Sequence, residues 1–373
     1  MKKSLITLAV LTAPCFAMAQ SSVTLYGVAD AFVGSKKTNT LTAVGANLVA
    51  SNLRQTMVES NGLSGSRWGL RANEDLGGGL KAFATLESGL NIDTGAGQQG
   101  ALLFGRQAFV GLGGNFGGLS LGRHYSAFDA VRGAVLSAQN SAYTFDATNG
   151  YGGDFTETQL KDLQAYNQAA TPANQVARAP AAAAALARSV ARMGAWTGYV
   201  PRIDNSIRYE TPNISGFQGV LVYGFGENKT ATTGATKNGS ASLTYVNGPI
   251  AVALVHQDDE LAKGFHLKNT AVGGNYDFGL AKAFLAYNQA KFTGLAKQNE
   301  WAVGIRAPLG ATTLVAQYAH AKGDDLGKNQ SLGLQVEYTL SKRTTAYAAL
   351  NQTRRFDSLA KNDVFGLGMR HTF

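Results

Sequence analysis

Residues 362–373 read NDVFGLGMRHTF and alternate between large apolar side chains and small or polar ones up to the final aromatic residue. Alternation with a period of two is typical of a β-strand, whose successive side chains point to opposite faces. In an edge strand of a soluble sheet, this apolar face would be exposed to water. The last strand of a closed membrane barrel instead pairs with the first strand and turns the same face to lipid. The stretch therefore predicts a closing strand, with Phe373 in the aromatic band at the periplasmic interface.

The first nineteen residues, MKKSLITLAVLTAPCFAMA, combine a basic start, an apolar run and small residues, which are the parts of a secretory signal peptide. We expect cleavage between Ala19 and Gln20, which leaves residues 20–373 as the exported chain. The one cysteine of the sequence, Cys15, lies in this segment. A lipid anchor on that cysteine is disfavoured by the proline before it. The exported chain is therefore expected to fold without a disulfide.

Composition restricts the class of protein. The chain has 373 residues, of which 45 are glycine and 45% are hydrophobic, and its formal net charge is +9. It is too apolar and aromatic for a disordered chain. Lysine and arginine occur singly rather than in clusters, which argues against a nucleic-acid partner. After residue 20, no apolar run reaches the roughly 18 residues that a transmembrane helix needs.

Strand-like alternation recurs along the exported chain, in segments longer than the strands of most soluble domains. In EWAVGIRA (300–307), SLGLQVEYT (331–339) and RIDNSIRYE (202–210), one face is mainly apolar or aromatic and the other carries charge, amide or glycine. In the last of these segments, the pattern assigns Ile203 and Asn205 to the outward face. The predicted strands are 22–33, 64–74, 80–90, 101–111, 118–125, 202–210, 217–225, 240–247, 250–257, 269–278, 281–290, 299–307, 312–320, 330–340, 343–352 and 363–373.

The connections between these strands alternate in length. Short turns rich in glycine, proline and asparagine follow every second strand. The longer polar loops are predicted at 34–63, 91–100, 126–201, 226–239, 258–268, 291–298, 321–329 and 353–362. An even number of strands, with short turns at one end and long loops at the other, is typical of outer-membrane barrels. The predicted fold class is therefore all-β, a transmembrane antiparallel β-barrel of about sixteen strands.

Five stretches carry a resemblance to a known family. They are SSVTLYGVAD (21–30), SGSRWGLRANEDLGGGLKAFATLESG (64–89), LFGRQAFVGLGGNFGGLSLGR (103–123), RIDNSIRYETPNISGFQGVLVYGFGE (202–227) and GMRHTF (368–373). With these stretches the sequence resembles the trimeric general porins of Gram-negative outer membranes, in the form typical of β-proteobacteria. The resemblance implies a homotrimer and passive diffusion of small hydrophilic solutes and anions through a water-filled channel. It also implies a third loop that folds into the pore.

The same resemblance implies what surrounds the protein. Its setting would be the outer membrane, with membrane lipid and lipopolysaccharide as neighbours. The final Phe373 resembles the signal by which the barrel-assembly machinery recognises such chains.

Selectivity in a wide barrel comes from charged side chains at its narrowest level. Alternation places Arg67 and Arg71 on the lumen face of the second strand. It places Arg202 on the lumen face of the sixth strand, together with Arg208. The two pairs lie on separate strands, so alternation alone does not show that they converge.

The resemblance adds Arg106 and Arg123 to a basic wall at the constriction. For Arg123 the alternation is unfavourable, because Leu119 and Leu121 have the same parity, and a bend in the strand would be needed. From the third loop we expect Asp129 and Asp146 to face the basic wall. The basic lumen predicts a weak preference for anions.

Within the third loop, residues 157–192 resemble an insertion, and its part AAAAALARSVAR (181–192) favours a helix. Its arginines could form a basic cap at the channel mouth, but a surface helix of simple composition is the favoured interpretation. The five histidines lie far apart, so no metal site and no cofactor are expected. A substrate-specific channel, an adhesin and a barrel enzyme remain alternatives, although no catalytic motif supports an enzyme.

Overall fold

A computed structural model of the protein describes residues 21–44, 47–100, 102–136, 138, 199–232, 234–262, 264–292, 296–323, 328–355 and 360–373. The predicted signal peptide and most of the predicted loop 126–201 lie outside these residues. Within the described ranges, no helix is both long enough and apolar enough to cross a membrane.

Within the described residues, seventeen antiparallel strands form one sheet. They are β1 (Ser22–Val44), β2 (Asn47–Ser60), β3 (Arg67–Gly77), β4 (Leu80–Gly89), β5 (Gln107–Gly114), β6 (Gly117–Tyr125), β7 (Arg202–Glu210), β8 (Phe217–Gly224), β9 (Asn238–Asn247), β10 (Ile250–Ala262), β11 (Phe265–Asp277), β12 (Lys282–Phe292), β13 (Ala296–Leu309), β14 (Thr312–Gly323), β15 (Lys328–Thr339), β16 (Thr344–Arg355) and β17 (Ala360–Thr372). A short helix α1 (Ala127–Val131) and a π-helical turn (Arg132–Leu136) follow β6.

The sheet closes on itself. On one side β1 pairs with β17, from Val28 opposite Thr372 to Asn39 opposite Lys361. On its other side β1 pairs first with β3 and then with β2, so these two strands share one position in the ring. The seventeen strands therefore make a barrel of sixteen positions, which confirms the predicted fold class. The last residue, Phe373, exchanges two backbone hydrogen bonds with Gly27, of 2.9 and 3.1 Å.

The two faces of the sheet differ as the alternation predicts. Along β15, apolar residues such as Leu334 and Val336 are more than two-fifths exposed, while Ser331 and Gln335 on the opposite face are buried. The same outward exposure holds for Trp301 on β13. A barrel with an apolar outer surface and a polar inner surface fits a bilayer, because closure leaves no strand edge unpaired in hydrocarbon.

Several predicted boundaries are wrong in one direction, because strands continue into segments expected to be loops. The predicted loop 34–63 contains the second half of β1 and all of β2, which pair as a hairpin. The predicted loops 258–268, 291–298, 321–329 and 353–362 are also largely strand. The polar composition of these segments is typical of loops, but cross-strand hydrogen bonds continue through them. Conversely, the predicted strand 101–111 begins only at Gln107.

The predicted outward position of Ile203 is also wrong, since this side chain is 1% exposed and faces inward. Ser206 pairs with Gly122 and Ile203 pairs with His124, so β7 has one extra residue between these two pairs. This is a β-bulge, and Asn205 within it has a φ of +45°. The extra residue reverses the inward and outward directions of the β7 side chains before the bulge. A strict period of two therefore assigns Ile203 to the wrong face.

We predict that Leu334→Arg lowers the free energy of unfolding by about 2–4 kcal/mol, because it puts a charge on the lipid face in the middle of β15. Urea titration of the protein in lipid vesicles measures this. The matched control is Gln335→Lys. Gln335 is the next residue of the strand and faces inward, and its side-chain amide contacts the Glu337 carboxylate. The new lysine would therefore lie beside a carboxylate. We expect this control to cost less than about 1 kcal/mol. Equal losses in the two variants would contradict the assignment of the two faces.

Candidate functional site

A single buried carboxylate organises the inner face of the barrel near β3, β4 and β5. Glu87, on β4, is 2% exposed. Its Oε1 accepts a 2.8 Å hydrogen bond from Nε of Arg106 and one of 3.1 Å from the Tyr125 hydroxyl. Its Oε2 accepts a 2.9 Å hydrogen bond from the Tyr26 hydroxyl and lies 3.5 Å from Nε of Arg67. Both carboxylate oxygens are therefore fully used in fixing two guanidinium groups and two phenol rings.

The two tyrosines bring further arginines to the same place. The guanidinium of Arg71 lies over the Tyr26 ring, 4.0 Å from its centroid. The guanidinium of Arg202 lies 5.1 Å from the centroid of Tyr125. These are cation–π contacts, which fix the direction of a guanidinium group without neutralising it. Four arginines from three separate parts of the ring thus gather near Glu87, two by direct contact and two through its tyrosine partners. We call Arg67, Arg71, Arg106, Arg202, Glu87, Tyr26 and Tyr125 the arginine array.

A polar support behind β3 positions Arg67. Residues 61–66 connect β2 to β3 without forming strand. Buried Asp30 on β1 binds this connecting segment. Its two carboxylate oxygens accept hydrogen bonds of 2.8–3.0 Å from the backbone N–H groups of residues 62–64. The Tyr347 hydroxyl on β16 donates a fourth, of 2.7 Å. The segment held in this way supplies two acceptors to Arg67, the Ser64 hydroxyl at 3.2 Å and the Gly65 carbonyl at 2.7 Å.

Arg123 lies apart from the arginine array. Its Nε donates a 2.8 Å hydrogen bond to the carbonyl of Gly105, and its guanidinium pairs with the carboxylate of Asp204 in the β7 bulge. The strand does bend here, as the sequence requires for this residue to leave the lipid face. Gly122 has a φ of +139°, in the region that favours glycine. The bend, however, brings Arg123 to Asp204 rather than to Glu87.

The segment after β6 enters the barrel and carries Asp129. Ser126 caps α1, and its hydroxyl accepts a 3.1 Å hydrogen bond from the backbone N–H of Asp129. The Asp129 carboxylate accepts a 2.8 Å hydrogen bond from the Tyr199 hydroxyl and attracts Arg106 electrostatically. The structure therefore brings this predicted acid close to the arginine array. Asp146 and the insertion 157–192 lie outside the described residues.

The far side of the lumen is apolar where this segment lies. Phe128, Val131, Val135, Leu136 and Tyr199 pack in one buried cluster with Ala253, Val255, Ala271, Ala286, Ala302 and Ala319 of strands β10 to β14. The side chains of these strands on the opposite face are exposed, so the cluster lies inside the barrel. The small inward alanines here therefore line a packed chain segment rather than water. They are small because a chain segment lies against them.

At Ala138, the last described residue of this segment, two hydrogen bonds with the barrel wall form what we call the clamp. The backbone N–H of Ala138 donates a 2.7 Å hydrogen bond to Gln317 of β14, and its carbonyl accepts one of 3.1 Å from Arg306 of β13. The other Arg306 nitrogen is 2.9 Å from Glu337. A Cβ added at Gly304 would lie only 2.6 Å from the Ala138 methyl group. The clamp therefore needs glycine at this position.

Sequence reasoning missed the residues that join the arginines, namely Glu87, Tyr26 and Tyr125. The alternation could have indicated Glu87, since it lies at an inward position of β4 and is the one acid of that strand. A lone acid among several inward arginines is a candidate for the group that holds them together.

The array favours anions in its vicinity. Two guanidinium groups contact one carboxylate and two more lie against its tyrosine partners, so the local charge remains positive. Low-dielectric walls strengthen the field of such fixed charges in the bore. Among the described residues, no group of histidine, cysteine, aspartate or glutamate side chains could hold a metal ion.

Comparison with known proteins gives consistent matches. A family model for the Gram-negative porins matches residues 6–358. An outer membrane porin protein of Bordetella pertussis is 30% identical over the full length of both chains. Outer membrane porin protein 32 of Delftia acidovorans is 32% identical over 94% of this chain and 89% of its own. The anion-selective porin from Comamonas acidovorans is 26% identical, with a TM-score of 0.68, over 95% of this chain and all of its own.

We predict that Asp30→Ala lowers the free energy of unfolding by about 3 kcal/mol or more. The substitution leaves three buried backbone N–H groups without their acceptor, and each unsatisfied buried group costs about 1–3 kcal/mol. The control Tyr347→Phe removes one donor to the same carboxylate and should cost about 1 kcal/mol. Urea titration of both variants in vesicles measures the difference. A loss in Asp30→Ala no larger than in Tyr347→Phe would contradict the role of Asp30.

Proposed function

Because the chain belongs to the family of Gram-negative porins and forms a multi-pass β-barrel of the outer membrane, we propose that its arginine array selects anions among the small hydrophilic solutes that diffuse through the channel. The observation that carries this proposal is the grouping of four arginines around Glu87, in which Arg67 and Arg106 contact the carboxylate and Arg71 and Arg202 lie against its two tyrosine partners. The anion-selective porin from Comamonas acidovorans, which is similar over nearly the whole chain, supports the same preference.

The physical basis of selection is a fixed positive potential at a narrow level. A water-filled bore of sixteen strands is too wide to discriminate small ions by size alone. Oriented guanidinium groups lower the energy of a passing anion and raise that of a cation. They do not bind the anion so firmly that it fails to leave, because water remains in the bore and screens the charges. The proposed role is therefore passage with a weak preference and involves no catalysis.

We further propose that the third loop, residues 126–201, narrows the bore opposite the array. Both described ends of this loop support the proposal. The first end packs on the inward alanines of β10 to β14. At the second end, the backbone of Val200 exchanges hydrogen bonds with Asp259 and Gln257 of β10, of 2.9 and 2.7 Å. Asp129 supplies a carboxylate near the array, and we propose Asp146 as a second acid of the same loop.

The assembly is also part of the proposal. We propose a homotrimer in the outer membrane, with export directed by residues 1–19 and insertion by the barrel-assembly machinery acting on the terminal strand. The ring of Phe373 lies over Gly27, where an added Cβ would be 2.2 Å from its Cζ atom. The end of β17 therefore has an ordered aromatic group that such machinery could recognise.

We predict that the purified wild-type protein forms stable, ohmic channels in planar bilayers. In a salt gradient, its reversal potential should have the sign of an anion-preferring pore. A reversal potential that indicates cation preference would contradict the selectivity and leave the channel assignment intact. Failure to conduct at all, with the barrel folded, would contradict both.

We predict opposite effects of two charge substitutions in the array. Arg106→Gln should lower the anion-to-cation permeability ratio about threefold, and Glu87→Gln should raise it by a similar factor. One unit charge at about 6 Å in water changes an ion's energy by about 0.7 kcal/mol, with opposite signs for an anion and a cation. Salt at about 0.15 M roughly halves each shift, so the two shifts together correspond to about this factor in the ratio. Reversal potentials in a salt gradient measure the ratio.

The matched controls for these variants are Arg343→Gln and Glu74→Gln. Arg343 lies in the exposed turn between β15 and β16, and Glu74 is exposed near the end of β3. Each control changes the net charge as its partner does, but outside the array, and should leave the ratio unchanged. If the controls shift the ratio as much as the array variants, overall charge rather than the array determines selectivity.

A further inference from the structure

Two phenylalanine rings lie on the inner face of β4 and β5. Phe83 on β4 alternates in phase with buried Thr85 and Glu87, which face inward. Phe109 on β5 pairs with Thr85 and therefore shares the same face. Both phenylalanines are partly exposed, so each presents ring surface to the lumen. We call Phe83 and Phe109 the aromatic pair.

Neighbouring contacts fix the orientation of both rings. Phe83 and Phe109 meet edge to face, with centroids 6.2 Å apart and ring planes at 80°. The buried imidazole of His124 stacks on Phe109, with a centroid distance of 4.9 Å. The aromatic pair is therefore preorganised, and a solute that contacts it does not have to immobilise these side chains.

Phe83 lies over strand backbone that carries no side chains. A Cβ added at Gly111 would be 2.6 Å from the Cζ atom of Phe83, and Cβ atoms added at Gly113 and Gly118 would be 3.4 and 3.7 Å from the same ring. Glycine in the interior of a strand weakens a sheet, and it often marks a place where another group approaches closely. These glycines of β5 and β6 let the Phe83 ring lie along the barrel wall, with its other face turned to the lumen.

A guanidinium group is available beside this ring. Arg71 on β3 pairs directly with Thr85, and Phe83 is the next inward residue of β4. Such diagonal neighbours on one face of a sheet are about 7–8 Å apart, within reach of long and aromatic side chains. Arg71 is exposed, and the described residues give it a cation–π contact with Tyr26 but no carboxylate partner. Its positive charge can therefore bind an anion that also touches Phe83.

The aromatic pair lies on the short-turn side of the arginine array. β4 begins at Leu80, directly after the turn 78–79, and Phe83 lies between this turn and Glu87. Short turns are periplasmic in barrels of this kind. An anion that moves inward therefore meets the arginines first and the aromatic pair next. The arginines attract any anion, whereas the aromatic pair distinguishes anions that have a flat apolar part.

We propose that Arg71 and the aromatic pair form a subsite in the channel for aromatic carboxylates, in which a carboxylate is attached directly to a benzene ring. The carboxylate pairs with Arg71, and the ring stacks on the lumen face of Phe83. Contact between two aromatic rings stabilises a complex beyond the burial of apolar area. An inorganic anion matches only the arginine, and an uncharged aromatic solute matches only the ring. The inference rests on the proposed passage of anions and assigns a class of anion to it.

The test is the block of chloride current by added solutes, measured on single channels of the purified protein in planar bilayers at neutral pH. The probes are benzoate, cyclohexanecarboxylate and benzamide, which are similar in size. The second has no aromatic ring, and the third has no charge. For the wild type we expect the Kd of benzoate to be about fivefold lower than that of cyclohexanecarboxylate and at least about tenfold lower than that of benzamide.

Two substitutions assign these preferences to side chains. Phe83→Leu retains an apolar group but removes the aromatic face, so it should raise the Kd of benzoate about fivefold and that of cyclohexanecarboxylate less than about twofold. Arg71→Gln should raise the Kd of both carboxylates about tenfold. The matched control Phe217→Leu makes the first substitution on the exposed outer face of β8 and should leave both Kd values within about twofold of wild type.

Equal Kd values for benzoate and cyclohexanecarboxylate in the wild type would overturn the proposal, and this comparison needs no variant to fold. So would an unchanged benzoate Kd in Phe83→Leu, or an equal rise for both carboxylates, which would mean that the ring only shields the glycine backbone. Chloride conductance verifies that each variant has inserted and folded. The reversal potential of the wild type in potassium chloride separates the two proposals. An anion-preferring channel that does not distinguish the two rings contradicts this inference alone, whereas a cation-preferring channel contradicts the proposed function on which it rests.

Discussion

Closure of the backbone hydrogen-bond ladder is the constraint from which the rest of this structure follows. In hydrocarbon, an unpaired N–H or C=O group costs several kcal/mol. The first and last strands of a sheet that crosses a membrane therefore have to pair with each other. Here β1 meets β17 over twelve registered residue pairs, and Phe373 continues the pairing with Gly27 to the last residue. Once the ring is closed, each residue has only two possible directions, outward to lipid or inward to the lumen.

This restriction explains why the lumen has two dissimilar halves. Charges within the apolar band have no place but the inner face, and those of Arg67, Arg71, Arg106 and Arg202 collect near Glu87. On β10 to β14 several inner positions are instead alanines, against which the segment after β6 packs. The small residues thus determine where the chain folds inward, and the charged residues determine where water and ions remain. The asymmetry comes from side-chain size on one wall and side-chain charge on the other.

The sequence predicts the strands well because alternation is a local property. β7 begins and ends where the pattern places it, and outward Trp301, Val336 and Leu367 are exposed as expected. What the pattern misses depends on residues far apart in the chain. Asp30 and Tyr347 are separated by 317 positions, and no local period reveals their hydrogen bond. The β7 bulge likewise depends on its partner strand, and the convergence of the arginines required a family resemblance to predict.

The position of Glu87 shows that orientation matters in the array as well as charge. A channel that needed only positive potential would be better without a carboxylate at the centre of its arginines. Four guanidinium groups from three parts of the ring, however, repel one another and would spread into the bore in many conformations. Glu87 removes one unit of charge and in return fixes Arg67 and Arg106 directly, while the tyrosines that bind it hold Arg71 and Arg202 against their rings. The remaining positive charge therefore has a defined direction toward the passing ion, which a mobile cluster of greater charge would lack.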